Sequence, residues 1–487
     1  MKSFFFLFGA IFSSFAFGAE ITLPGAPIQI EWADVNDDGR QDLVALMVRR
    51  RTEGNWDTWF EDGGLRGLYE DETFKDKYLS VHVAEGDGYR QVEMIELGSR
   101  TVLSFALEGG PHARLMLWTD TGLITHHWTP EGWSAQDAIA TPGLLASESV
   151  FLQGLKFWHR NPDGASWIVP DLDGLHIIQP EQSRDPVFFQ YPQHALQKNQ
   201  TTSVRHIINV DLPRFLDIDG DGADDLYFHA DGRTEAWRLG DSEPAWSADT
   251  SEGVLRDING DGMADLVTVV EGDVERPKDL PKIKSKISVY HATAPLQFPD
   301  EPDHTQRVPG FIINDVDFGD DAIIMPNPFL DINKDGKPDL AGFAFKFSMW
   351  QVAKVVATGR FSFKFLLHLS VQEPDGHYRT LDGGPFEITW RLNIRRLKIP
   401  DFAQITGDFD GDGWIDVMVE KKKKLEITPV TSAGFQNESK WTMRLPKNLR
   451  DPDQVIGRDL NNDGKSEFVV LKINGGVTHI GVLESKR

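Results

Sequence analysis

A nine-residue phrase recurs six times along the 487 residues of this chain and limits its fold more than any other feature. The first copy reads Asp34-Val35-Asn36-Asp37-Asp38-Gly39-Arg40-Gln41-Asp42, and the frame restarts at Asp217, Asp257, Asp331, Asp408 and Asp459. Positions 1, 3, 5 and 9 are Asp, Asn or Glu in every copy, and position 6 is always Gly. Each copy runs straight into apolar, strand-like residues: Leu43-Val44, Leu226-Tyr227, Leu266-Val267, Leu340-Ala341, Val417-Met418 and Phe468-Val469. Every phrase is therefore a loop that opens a β-strand. Length alone would suggest about three domains, but a repeat of this kind overrides that count.

The spacing of oxygens has a direct chemical reading. A hard cation such as calcium takes six to eight oxygen ligands at about 2.3–2.6 Å, and alternate side chains of a tight turn can converge on it. Position 7 adds a backbone carbonyl, and Gly at position 6 allows the left-handed turn that wraps the chain around an ion. The candidate ligands are Asp34, Asn36, Asp38, Arg40 and Asp42 in loop 1, then Asp217, Asp219, Asp221, Ala223 and Asp225 in loop 2. Loop 3 offers Asp257, Asn259, Asp261, Met263 and Asp265, and loop 4 offers Asp331, Asn333, Asp335, Lys337 and Asp339. Loop 5 offers Asp408, Asp410, Asp412, Trp414 and Asp416, and loop 6 Asp459, Asn461, Asp463, Lys465 and Glu467. An EF-hand would carry Glu at position 12 and continue as a helix, whereas position 12 here is Ala45, Phe228, Thr268, Gly342, Val419 or Val470. The alternative is a row of ion-free turns, but turn chemistry by itself does not demand a carboxylate at position 9. Each loop holds three to five acidic residues, and carboxylates crowded that closely repel one another unless a cation intervenes. Many anionic ligands favour calcium over magnesium, which keeps its waters. About six calcium ions are expected.

The pattern D-x-[DN]-x-D-G-x-x-[DE] followed by a strand resembles the FG-GAP and VCBS repeats of integrin-α-like β-propellers, and the resemblance covers nearly the whole chain after its first residues. A second phrase fits it: a strand, a turn built on Asp-Gly or a similar pair and a return strand, as in Leu79 to Tyr89, with a related stretch at Leu366 to Tyr378 and, with the turn altered, at Ile287 to Phe298. Alignment on both phrases exposes two decayed copies, Phe105 to Leu117 and Trp158 to Ile168, which lack the oxygens for an ion. Eight starts, spaced by intervals that each fit one four-stranded blade, predict an all-β fold: a β-propeller of eight blades, with seven the alternative. Too few strands follow Asp459 to complete the last blade, so Glu20 to Trp32 is expected to supply a strand and close the ring, protecting the sheet edges.

Residues 1–18 read as a signal peptide: Lys2, an apolar run from Phe4 to Phe17, and a small-residue cleavage pattern before Ala19. A buried first strand is the alternative. The domain over 19–487 is then expected to be secreted or periplasmic. No other apolar run approaches the roughly 18 residues of a spanning helix, and the absence of cysteine removes disulfides, thiolate metal sites and a lipidation anchor. The net charge of −25 argues against a nucleic-acid partner, while 40% hydrophobic residues are enough for a real core.

Extra length falls after the strand that follows loops 1, 3 and 4: Met47 to Lys77, Val270 to Lys284 and Phe345 to Phe363. These insertions, with Trp56, Trp59 and Trp350, make the face opposite the ion loops the candidate partner surface. The leading expectation is a non-enzymatic adhesion or interaction module for a protein or cell-surface partner. A calcium-dependent, lectin-like module is the second reading. A polysaccharide lyase is the third, hinted at only by Arg395, Arg396 and Lys398. Lys421 to Lys424 read as a solvated hairpin turn, and His126 and His127 point to opposite faces of a strand. No G-x-S-x-G, H-E-x-x-H or phosphate-loop motif occurs, and no catalytic residue is assigned.

Overall fold

The computed structural model describes residues 17–49, 76–98 and, with short breaks, 102–135, 158–197, 209–312, 328–346, 360–393 and 404–485. These residues form an all-β fold of eight antiparallel sheets, numbered here by the chain order of their loops, plus two short two-stranded ribbons. The first sheet sets the pattern: Ala26–Ala33, Asp42–Arg49, Asp76–Glu85 and Gly88–Gly98 pair in simple succession. Sheets two to seven repeat it over residues 102–135, 158–190, 214–248, 253–309, 329–393 and 404–444. The sixth also carries a fifth strand, Phe386–Asn393, laid along Arg360–Gln372. Among the described residues no helix is long and apolar enough to cross a membrane.

Each acidic phrase joins the first and second strands of its sheet, as Asp34 to Asp42 joins Ala33 to the strand beginning at Asp42. The two decayed copies occupy the same hairpin position, between Val102–Glu108 and Arg114–Thr119 and between Trp158–Asn161 and Gly164–Pro170.

The second strand of the first sheet is buried on both faces, because that sheet packs against a neighbour on either side. Leu43, Ala45 and Met47 meet Ile21, Leu23, Leu471 and Ile480 of the eighth sheet. The alternate residues Val44 and Leu46 meet Phe105, Leu115 and Leu117 of the second sheet. The period of two in side-chain direction thus divides one strand between two cores. Phe468 and Val470 likewise pack on Met418 and Leu425 of the seventh sheet, and Val417 packs on Phe343 and Leu367 of the sixth. Val267 and Ile287 of the fifth sheet meet Phe329 and Leu340 of the sixth. Leu255 and Leu266 of the fifth meet Ile218 and Tyr227 of the fourth. Phe189 of the third sheet stands edge-on to Trp237 of the fourth, centroids 5.2 Å apart. Neighbour contacts therefore run in the order three, four, five, six, seven, eight, one, two.

The N-terminal segment divides. Phe17–Pro24 pairs antiparallel with Val477–Leu483 and completes the eighth sheet with Gln454–Arg458 and Glu467–Asn474. Ile28, Ile30 and Trp32 belong instead to the first strand of the first sheet. The register of the terminal strand shifts between Phe17 and Ala19 and is continuous from Ala19 to Pro24.

Candidate cation sites

The six loops share one backbone. Gly at position 6 has φ between 84° and 89° in all of them, the left-handed region where a side chain is unfavourable. Position 4 is left-handed too: Gly220, Gly260 and Gly411 share it with Asp37, Lys334 and Asn462, φ 54–79°. The position-1 carboxylate accepts the N–H of the position-6 Gly at 2.7–3.0 Å in every loop. The position-5 carboxylate accepts the N–H of position 7 at 2.8–2.9 Å. Position 2, always apolar, is buried: Val35, Ile218, Ile258, Ile332, Phe409 and Leu460 plug the loops into the cores between sheets.

Position 9 has a structural duty that turn chemistry did not reveal. Asp42 accepts N–H donors from Val35 at 2.9 Å and Ala84 at 2.7 Å. Asp265 accepts from Ile258 and Ala292, Asp339 from Ile332 and Gln372, and Asp416 from Phe409 and Val430. One donor is position 2 of the same loop, and the other lies within two residues of the end of the third strand, so this carboxylate staples the loop to its sheet. Glu467 accepts from Leu460 N–H and from the Asn461 side chain. Burial pushes five of the position-9 acids up despite the donated hydrogen bonds, Asp42 and Asp339 to about 6 and Asp225, Asp416 and Glu467 to about 7. Neighbouring carboxylates of the same loop raise them further.

The loops fall into two classes at position 3. Where it is Asn, in loops 1, 3, 4 and 6, its side-chain N–H donates to the position-5 carboxylate at 2.9–3.2 Å. Where it is Asp, in loops 2 and 5, that donor is gone. Oxygens of Asp217, Asp219 and Asp221 lie within 4.8 Å of one another, as do those of Asp408, Asp410 and Asp416. Asp219 Oδ1, Asp225 Oδ2 and Asp410 Oδ1 are buried there without a hydrogen-bond donor. Buried oxygens of this kind are costly unless something positive meets them. The donor set therefore fits a hard divalent cation, which these carboxylates would hold.

Loops of neighbouring sheets are joined through their backbones. The position-8 N–H donates to position 2 of the adjacent loop in Gln41 to Leu460, Ala264 to Ile218 and Ile415 to Ile332, and to position 1 in Ser466 to Asp408, at 2.7–3.1 Å. Position 8 of loop 4 is Pro338, which has no N–H to give. Gly110 of the first decayed hairpin donates to Asp34 of loop 1. That hairpin retains Glu108, and Arg114 stands at its position 9 with the guanidinium on the Glu108 carboxylate at 2.6 Å.

The insertions start at the far ends of the strands the loops open: Asp42–Arg49, Asp265–Val270 and Asp339–Lys346. Strand extends into the third insertion from both sides, through Lys346 and from Arg360. Trp56, Trp59, Trp350, Arg395, Arg396 and Lys398 lie outside the described residues. Lys421 and Lys424 pair at the end of a hairpin. His126 is buried and its neighbour His127 is half-buried on the same strand.

No family model matches the sequence, and no curated protein matches it. Among solved structures, the chain is similar to Sqt1 of Saccharomyces cerevisiae over 96% of its own length and 98% of that chain, at 9% identity and a TM-score of 0.37. It is similar to a 6-phosphogluconolactonase-like protein of Bacteroides fragilis over 77% and 87% of the two chains, at 12% identity and a TM-score of 0.33. Likeness at this level carries no argument about function, and the architecture rests on the sheets themselves.

Proposed function

We propose that this chain is an exported, calcium-binding β-propeller of eight blades that acts as a non-enzymatic recognition module for a protein or cell-surface partner. The observation that carries this reading is the placement of an acidic loop and an insertion at opposite ends of one strand in the first, fifth and sixth sheets. A cation collar at one end fixes the strands, and variable segments at the other end have a rigid base from which to recognise a surface. The unbroken succession of sheet contacts from the third sheet round to the second, and the pairing of residues 17–24 with 477–483, support the reading of eight blades in a ring. The resemblance of the loops to FG-GAP and VCBS repeats supports calcium as the ion, and the pattern of residues 1–18 supports export.

The test compares the intact protein with a variant in which residues 50–75 and 347–359 are replaced by short Gly/Ser linkers. The trimmed protein is expected to lose binding to cells and their surface extracts while keeping its calcium content and melting temperature. Retained binding would move recognition to the ion-loop face. Binding to a glycan array only in the presence of calcium would favour the lectin-like reading.

A further inference from the structure

We propose that Lys334 is a built-in counter-ion for loop 5, a tethered ammonium that competes with the divalent cation and lets loops 4, 5 and 6 sense one another. The inference rests on the reading of loop 5 as a calcium site and concerns how that site is regulated. Lys334 stands at position 4 of loop 4, yet its Nζ lies 3.1 Å from Asp408 Oδ2 at position 1 of loop 5 and 3.0 Å from the carbonyl of Gly464 at position 6 of loop 6. Asp408 is 1% exposed, so the ammonium neutralises a buried carboxylate.

Two further observations bear on this lysine. Its backbone is left-handed, φ 54°, at a position where loops 2, 3 and 5 have Gly and loops 1 and 6 have the small polar Asp37 and Asn462. A non-Gly residue held there carries strain, and here that strain accompanies a side chain reaching two other loops. Loop 5 also retains the unpartnered Asp410 Oδ1, so one ammonium leaves part of the acidic cluster unmet. Loop 2, the other loop with Asp at position 3, has a parallel arrangement: Arg238 sits on Asp219 at 2.7 Å while Asp219 Oδ1 and Asp225 Oδ2 stay unpartnered. Both carboxylates are more than nine-tenths buried. In the decayed second sheet Arg114 likewise meets Glu108. Basic side chains thus appear where acidic loops lack an amide to close them.

A divalent ion entering loop 5 would meet the ammonium on a shared ligand. Repulsion at that range opposes entry, and relief of it moves Lys334 away from Asp408 and alters its bond to Gly464 of loop 6.

Terbium(III) serves as the probe, because Trp414 lies at position 7 of loop 5 and sensitises a lanthanide bound beside it. The full-length protein is titrated with terbium, and the signal lost in Trp414→Phe is assigned to loop 5. Lys334→Met and Lys334→Gly are expected to saturate that signal at roughly one-tenth the wild-type terbium concentration, the direction fixed by removal of a like charge. Lys334→Arg is expected to stay near wild type. Lys334→Gly suits the left-handed backbone and remains informative if the Met variant folds poorly. A Trp414-dependent signal whose midpoint is unchanged or raised in both variants would overturn the counter-ion. Absence of any Trp414-dependent signal in the wild type would overturn the cation reading of loop 5 and this inference with it.

Discussion

Phe409 fills position 2 of loop 5 and stacks on Phe468, ring centroids 4.2 Å apart and planes 3° from parallel. Cβ atoms at Gly407 and Gly457 would stand 2.6 and 2.4 Å from its ring, so both glycines are required by contact. Gly457→Ala is expected to destabilise the protein by about 1–3 kcal/mol through overpacking, and Phe409→Ala by about 3–5 kcal/mol through the cavity it leaves. Urea unfolding monitored by tryptophan fluorescence measures both. The position-9 acids give a pH prediction at the same scale. Asp42, Asp225, Asp339, Asp416 and Glu467 have folded values of about 6 to 7, above the ordinary 3.8 for Asp and 4.5 for Glu. The metal-free fold therefore binds more protons than the unfolded chain and loses stability as pH rises from about 4 to 7. In excess EDTA the melting temperature should fall across that window. In calcium the fall should shrink or reverse, because the ion favours the ionised form. A metal-free melt that rises from pH 4 to 7 would contradict the raised values. Carboxylates and Gly at fixed spacing were legible in the sequence. The apolar position 2 stood there as plainly, but its meaning depends on Asp416 accepting the Phe409 N–H, a contact that no spacing displays.

The loop and the strand it opens are the repeating element, and most of that element could be read in advance. Acidic phrase, apolar strand, turn and return strand occur in the expected order in every intact repeat, and the decayed hairpins fall where alignment put them. What escaped was pairing decided at a distance. Phe386–Asn393 has the alternation of a strand, but only the 13-residue length of Arg360–Gln372 gives it an edge to join. The division of Glu20 to Trp32 also escaped, since alternating apolar residues fit a last strand of the eighth sheet as well as a first strand of the first. The loops themselves are expected to load six calcium ions at millimolar calcium, counted by native mass spectrometry. Asp219→Ala and Asp410→Ala should each remove about one. A count of two, abolished by that pair of substitutions, would confine cation binding to loops 2 and 5 and leave the four Asn loops as self-closed turns.

At the scale of the whole molecule, stability depends on how the repeats are joined. A dissociation constant of about 10⁻⁴ M, typical of extracellular modules, gives each site about 1.4 kcal/mol at 1 mM calcium. Six independent sites would contribute roughly 8 kcal/mol, comparable to the net stability of a domain. Verified removal of metal should lower the melting temperature sharply, and an unchanged melt would identify the loops as ordinary turns. The second joint is the terminal strand. Ile21 is 3% and Leu23 1% exposed, buried in the core between the first and eighth sheets. Gly25 N–H donates to the Gly476 carbonyl, and Thr478 Oγ1 donates to the Gly25 carbonyl, so the chain is fastened where it passes from the eighth sheet into the first. A chain beginning at Gly25 would lose the burial of these two side chains, roughly 3–6 kcal/mol, and the ladder from Ala19 to Pro24. Val477–Leu483 would then become an open edge of seven residues, a template for pairing with another chain. Such a truncation should melt lower and self-associate in sedimentation velocity, and a peptide of sequence AEITLP supplied in trans should reverse both effects. A truncated protein that stays monomeric with an unchanged melt would show that the first and last strands do not hold the molecule together.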